Sequence, residues 1–191
     1  MQIGHETTAN TVSFALGVLA LNPDIQEKVY EEAKEVLSDI DESEYFSNLS
    51  RLEYTKAVFD ETLRKFPSVV SVPKYAIEDT TLGGYPIAKN TTISISVYSL
   101  HKNSKLYPNP EKFDPERFLH GQPNPNEFVP FSLGQRSCIG KRFAVIEGTL
   151  ILALTCLRYK LSPIQCNIND YHSVITLKTI DPIIIQATPR Q

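Results

Sequence analysis

The sequence predicts one mainly α-helical domain with small β-sheets. Three observations carry that prediction. Apolar residues recur at helical spacing in four segments, residues 3–21, 23–37, 52–66 and 138–158. A β-branched run, Thr91-Thr92-Ile93-Ser94-Ile95-Ser96-Val97, follows a Gly83-Gly84 turn signal. Residues 102–130 hold six of the thirteen prolines and keep neither period, so they predict a long irregular segment.

The first helix rests on Val12, Leu16, Leu19 and Ala20. Asn22-Pro23 ends it, because the residue before a proline is steered out of the helical region. Asn22 is then the expected N-cap of the second helix, with Pro23 in its first position. Ile25, Val29, Ala33, Val36 and Leu37 form its apolar stripe; Gln26, Glu27, Lys28, Glu31, Glu32 and Lys34 form its polar face. Residues 38–50 are acidic and read as a loop. The third helix, Leu52 to Phe66, stops at Pro67. Short strands are expected over residues 69–97. After the proline-rich segment, a last long helix is expected from Cys138 to Arg158. A closing hairpin of 174–177 with 183–187 should follow. No repeat or linker marks a second domain. The chain enters helix-like sequence at once, at Ile3-Gly4-His5-Glu6-Thr7-Thr8, which predicts that it begins inside an element of a longer domain.

Composition narrows the function. A net charge of −3 argues against nucleic acid or an anionic membrane as the main partner. Three cysteines, Cys138, Cys156 and Cys166, are too few and too odd for a disulfide scaffold. Cys156, between Ile151, Leu154 and Leu157, reads as core, and Cys166 as a loop or strand residue. The apolar stretch 143–157 is broken by Glu147, Gly148 and Thr149 and is too short to span a bilayer.

The decisive segment is Phe131-Ser132-Leu133-Gly134-Gln135-Arg136-Ser137-Cys138-Ile139-Gly140. A cysteine at a helix start meets free N–H groups and the positive end of the helix dipole, which favour a thiolate. Gly134 allows a tight turn, and Gly140 allows a flat group to approach the backbone. The string is similar to the signature of the cytochrome P450 superfamily: Phe, two residues, Gly, one residue, Arg, one residue, Cys, one residue, Gly. All five fixed positions match.

That resemblance implies a haem b cofactor with Cys138 as axial thiolate, which pushes electron density onto iron and favours O–O cleavage. Arg136 would pair with a haem propionate, and Phe131 would shield the sulfur. Glu61-Thr62-Leu63-Arg64 and Pro115-Glu116-Arg117-Phe118 resemble the family's Glu-x-x-Arg and Pro-Glu-Arg-Phe segments. They imply a structural triad of Glu61, Arg64 and Arg117 that pins the irregular stretch. Residues 3–8 resemble the oxygen-binding turn of the helix over the haem, with Ile3 departing from the family's Ala or Gly. Gly4 would weaken that turn, Thr7 would donate a hydrogen bond at the oxygen site, and Glu6 would relay protons. Val69 to Val72 would line the substrate pocket, and Lys74 stands where the family commonly has a propionate-binding Arg. His101 reads as a structural hydrogen-bonding residue rather than a metal ligand.

The resemblance covers residues 3–188 and implies the C-terminal portion of a single haem-thiolate oxygenase domain, with its N-terminal part absent. Its motifs are similar to those of eukaryotic, microsomal members. Such a protein would be held to the endoplasmic reticulum membrane by an N-terminal helix. The implied activity is insertion of one oxygen atom from O2 into an apolar substrate, with electrons from NADPH through NADPH-cytochrome P450 reductase. Two alternatives stay open: a hydroperoxide isomerase or dehydratase using the same haem, and a truncated chain that retains no haem.

Overall fold

The computed structural model describes residues 2–121, 124–173 and 175–190, residues 2 and 3 by backbone alone. The side chain of Ile3, and Val174 of the expected hairpin, lie outside the described residues. Four helices form the body: α1 (Gln2–Leu21), α2 (Pro23–Leu37), α4 (Glu53–Lys65) and α6 (Lys141–Arg158). Two short ones, α3 (Tyr45–Asn48) and α5 (Val97–His101), lie between them. Among the described residues eight strands pair two by two, all antiparallel. β1 (Ser71–Tyr75) pairs with β4 (Thr92–Ser96), and β2 (Thr80–Leu82) with β3 (Tyr85–Ile87). β5 (Tyr159–Gln165) pairs with β8 (Ile184–Pro189), and β6 (Tyr171–Ser173) with β7 (Leu177–Thr179). This is the mainly helical class with small sheets that the periodicity predicts.

The core is where the apolar faces of α1, α2, α4 and α6 meet. Val12, Ala15, Leu19, Val29, Val58, Phe59, Leu63, Leu152 and Cys156 pack there, each buried. Full burial of the Val, Leu and Phe side chains among them stabilises by about 1.5–3 kcal/mol apiece. Burial pushes the Cys156 thiol up to about 12, so it is an inert core residue. Phe14 of α1 stacks on Phe66 with centroids 4.6 Å apart, and Tyr171 meets both edge-on.

Helix α6 crosses α4 at Gly148, where a Cβ would sit 2.1 Å from a ring carbon of Phe59. Gly148→Ala is therefore expected to force the two helices apart and lower stability by about 1–3 kcal/mol. A denaturant midpoint unchanged from the parent protein would refute this.

Five sequence expectations need correction. Asn22 does not cap α2 with its side chain; its Nδ2 donates to the Val18 carbonyl at 2.7 Å and closes α1 instead. Gln26 is buried rather than on the polar face. Its amide donates to the Leu19 and Leu161 carbonyls at 2.9 and 3.0 Å and accepts from the Leu161 N–H at 2.9 Å. Three satisfied bonds make a buried amide tolerable and join α1, α2 and β5. Residues 38–50 contain α3 and two 3-10 turns, the first capped by Asp41, whose side chain accepts from Ser43 N–H at 2.9 Å. Val97 opens α5 instead of closing β4, because the Ser96 hydroxyl accepts the Ser99 N–H as an N-cap. The expected closing hairpin does not form: β7 pairs with β6, and β8 returns to β5, the strand that follows α6 directly. Pro163 masks β5 in the sequence, and the ladder shifts register between Pro163 and Gln165.

The irregular stretch is ordered by α4 rather than by its own ladder. Arg64 donates through Nη1 to the His101 carbonyl at 2.9 Å and through Nη2 to the Pro110 carbonyl at 2.8 Å. Glu61 accepts the Asp114 N–H at 2.8 Å, and Lys65 donates to the Glu111 carbonyl. A buried helix face thus supplies the partners that a strand would otherwise supply.

His101, the last residue of α5, is fully buried and stacks on Phe128; its Nε2 accepts the Val129 N–H at 3.0 Å. That bond requires a neutral ring with its proton on Nδ1. Burial, then the Arg64 guanidinium, lower its pKa from 6.5 to about 4. Between those values the unfolded chain binds the proton and the folded chain does not. Stability is therefore complete above pH 6.5 and falls as pH drops toward 4. The total loss is up to about 3 kcal/mol. Urea midpoints measured down this range should fall in the parent protein and fall less steeply in His101→Gln.

Candidate functional site

The segment from Phe131 to Gly140 is a closed loop. The Cys138 N–H donates to the Phe131 carbonyl at 2.9 Å, and Ser137 N–H to the Gly134 carbonyl at 3.0 Å. Gly134 takes φ +80°, a left-handed value that a side chain resists, and Ser132 takes φ +62°. Helix α6 begins at Lys141 with Gly140 as N-cap, so the helix starts three residues later than the sequence predicts. The cause is a turn: the Cys138 carbonyl accepts the Lys141 N–H at 3.3 Å before helical bonding begins. Cys138 is exposed, and a Cβ built on Gly140 would stand 3.8 Å from its sulfur.

The loop faces a cavity of about 740 Å³, within the range of small-molecule sites. Phe131, Ser132, Arg136, Cys138 and Gly140 form one wall, extended by Phe143, Ala144, Glu147 and Ile151 of α6. Gly4, His5, Thr7, Thr8, Thr11 and Val12 of α1 form another. Phe59, Leu63, Ser68, Val69 and Val72 close the side. The cavity therefore sets a sulfur and a guanidinium on one wall against a row of hydroxyls on another, with apolar surface between them.

Of the residues singled out from the sequence, Thr7, Phe131, Arg136, Cys138 and Gly140 line this cavity, as do Val69 and Val72. Gly134 shapes the loop without lining it. Lys74 lies two residues beyond Val72 on the same strand face, half-buried and outside the lining. Glu6 is not brought to the cavity. Its carboxylate accepts from Thr176 Oγ1 at 3.0 Å and pairs with Lys178 Nζ at 2.5 Å. The Lys178 ammonium, followed by the Thr176 hydroxyl, holds its pKa below the usual carboxylate range. Its carboxylate therefore stands at the edge of α1 with β7 rather than in the cavity lining.

Glu61, Arg64 and Arg117 meet away from the cavity. Arg64 Nε and Nη2 grip Glu61 Oε2 and Oε1 at 2.6 and 2.8 Å, both side chains fully buried. Arg117 Nε lies 3.7 Å from Glu61 Oε1, and its Nη2 donates to the Asn109 carbonyl at 3.1 Å. Burial raises the Glu61 pKa, opposed by the Arg64 bonds.

Sequence reasoning missed Thr11, Ser68 and Glu147. Thr11 carries a signal, since it stands one turn from Thr7 on the same helix face. Ser68 carries none, because its place in the wall is set by how α4 ends.

A sequence model of the family described as Cytochrome P450 matches residues 1–186. The chain belongs to the cytochrome P450 family. It is 36% identical over 191 residues to the probable cytochrome P450 4ac1 of Drosophila melanogaster, covering 98% of this chain and 37% of that protein. It is 41% identical over 154 residues to cytochrome P450 4V2 of Homo sapiens, covering 78% of this chain and 29% of the relative. To cytochrome P450 4A10 of Mus musculus it is 40% identical over 162 residues, with 84% and 32% covered. The chain thus spans about a third of the length of these curated relatives.

The cytochrome P450 family holds haem b through a cysteine thiolate. The cavity fits such a group. It is broad, largely apolar, and carries one cysteine sulfur with a cation on the same wall. Among the described residues no grouping of three or more His, Cys, Asp or Glu could hold a bare metal ion.

Proposed function

We propose that this chain is the C-terminal portion of a single haem-thiolate monooxygenase domain. The observation that carries the reading is Cys138 and Thr7 facing one cavity from different walls. When bound there, haem supplies O2 activation and transfer of one oxygen atom to an apolar organic substrate. Cys138 would hold the haem through its sulfur, and the bond from its N–H to the Phe131 carbonyl fixes the position of that residue. Arg136 receives a propionate at the wall, and Phe131, half-buried, keeps water from the sulfur. Gly140 leaves the approach to the sulfur free of a side chain. Lys74 extends the positive charge along the β1 face. Thr7 lines the cavity, and its hydroxyl, which donates a long 3.4 Å bond to the Gly4 carbonyl, would turn to donate at the oxygen site, with water as the further proton carrier.

Electrons come from NADPH through NADPH-cytochrome P450 reductase. Lys141 and Arg142 border a second hollow of about 900 Å³ on the Cys138 loop, beside the Lys56–Asp60 ion pair, and these two cations suit an acidic donor protein. Among the described residues no helix is long and apolar enough to cross a membrane. Placement of the whole protein at the endoplasmic reticulum membrane therefore calls on a segment outside this chain. Because Cys138 is exposed in this chain, haem retention is expected to depend on the rest of the domain.

The test is a reduced-CO difference spectrum on the full-length protein and on this chain. A thiolate-type Soret band from the full-length protein supports the reading, and its absence overturns it. A band lost in the short chain alone identifies that chain as the non-retaining form. Turnover with O2 and reductase, against turnover with a hydroperoxide alone, separates oxygenase from isomerase.

A further inference from the structure

Ser68 ties the turn of α1 that carries Thr7 to the far side of the cavity. It follows Pro67 in the connection from α4 to β1. Its carbonyl accepts the Leu177 N–H at 2.9 Å, and Asn10 Nδ2 of α1 donates to the Leu177 carbonyl at 3.2 Å. The residue is therefore clamped to the same strand that clamps α1. Its hydroxyl donates to the Thr7 carbonyl at 2.9 Å and lies 2.8 Å from the Thr11 hydroxyl. Thr11 Oγ1 also reaches the Thr7 carbonyl, at 2.9 Å. Both hydroxyls belong to buried residues that line the cavity, Thr11 at 2% and Ser68 at 7% exposure.

Three contacts share two hydroxyl protons. Either hydroxyl can donate to the Thr7 carbonyl while accepting from the other, and concerted rotation of both exchanges the two arrangements. In each arrangement the carbonyl receives a side-chain donor. Such back-bonding loosens and bends a helix at that turn. Thr11 alone would hold the Thr7 carbonyl with no reference outside α1. Ser68 supplies the reference, because it stands on a different element.

We propose that Ser68 is a positioning residue for Thr7: its hydroxyl bonds hold this turn of α1 against the connection from α4 to β1 and so fix the direction in which the Thr7 side chain faces the cavity. Its consequence at the oxygen site rests on the haem-thiolate reading; its effect on α1 rests on geometry alone.

The test uses the full-length protein with Ser68→Ala, Ser68→Thr, Thr11→Val and the Ala/Val double variant. Hydrogen exchange over residues 7–12 reads the clamp without haem. The infrared C–O stretch of the reduced CO complex reads the orientation of polar groups at the cavity. Ser68→Ala should speed exchange at these amides by roughly fivefold, a local opening rather than global unfolding. It should also broaden or split the C–O band. Ser68→Thr, which keeps the hydroxyl, should return both toward the parent. The double variant should show a non-additive effect, since both hydroxyls serve one carbonyl. Parental exchange and a parental C–O band in Ser68→Ala would overturn the proposal, as would Ser68→Thr behaving like Ser68→Ala. Absence of any CO complex in the parent overturns the haem reading instead, and the exchange data still decide the clamp.

Discussion

Cys138→Ala in the full-length protein is expected to abolish the thiolate-type CO band completely while leaving the loop folded. The loop is closed by backbone groups, the Cys138 N–H to the Phe131 carbonyl and the Lys141 N–H to the Cys138 carbonyl, and alanine keeps both. Among the described residues neither other cysteine lines the cavity. Cys156 is fully buried in the helical core, and Cys166 is half-buried with its sulfur 3.5 Å from the Gly17 carbonyl. His5 lines the cavity from the α1 wall, so it cannot ligate from the thiolate side. The expected result is loss of the band with an unchanged unfolding midpoint of the haem-free protein, since loss of haem binding itself lowers the midpoint of the loaded form. A band of parental position in Cys138→Ala would remove Cys138 from the site altogether.

The helices were legible in the sequence because their apolar periods are long and their ends carry Pro23 and Pro67. The loop was legible for a different reason. Its positions are dictated one by one, by a positive φ at Gly134 and a bare backbone at Gly140. What was not legible lies between elements distant in the chain. The pairing of β5 with β8 spans the whole C-terminal segment, and Pro163 hides the first strand. Gln26 looks like any polar helix residue until Leu161 is seen to need both a donor and an acceptor. Glu6 reads as part of the cavity turn, yet Thr176 and Lys178 draw it elsewhere. Ser68 reaches the cavity wall only because α4 stops at Pro67.

Arg64→Ala is expected to lower stability by about 3–5 kcal/mol, because it leaves Glu61 as a buried charge held only by the Asp114 N–H at 2.8 Å and the more distant Arg117 at 3.7 Å. The guanidinium spans Glu61, the His101 carbonyl and the Pro110 carbonyl at once. Its removal therefore also strips the irregular stretch of its anchor. Arg64→Lys should fare poorly as well, since an ammonium cannot reproduce the planar fork that bonds both Glu61 oxygens. The deficit of Arg64→Ala should shrink as pH falls, because protonating Glu61 removes the unpaired charge and burial already raises its pKa. A paired change, Glu61→Gln with Arg64→Met, should recover part of the loss, because an uncharged pair escapes the desolvation cost of ions. Hydrogen exchange distinguishes the two contributions. If Arg64 anchors the stretch, amides from residues 102–118 stay fast in the paired variant even where global stability returns. If its role is charge pairing alone, they regain protection with the midpoint.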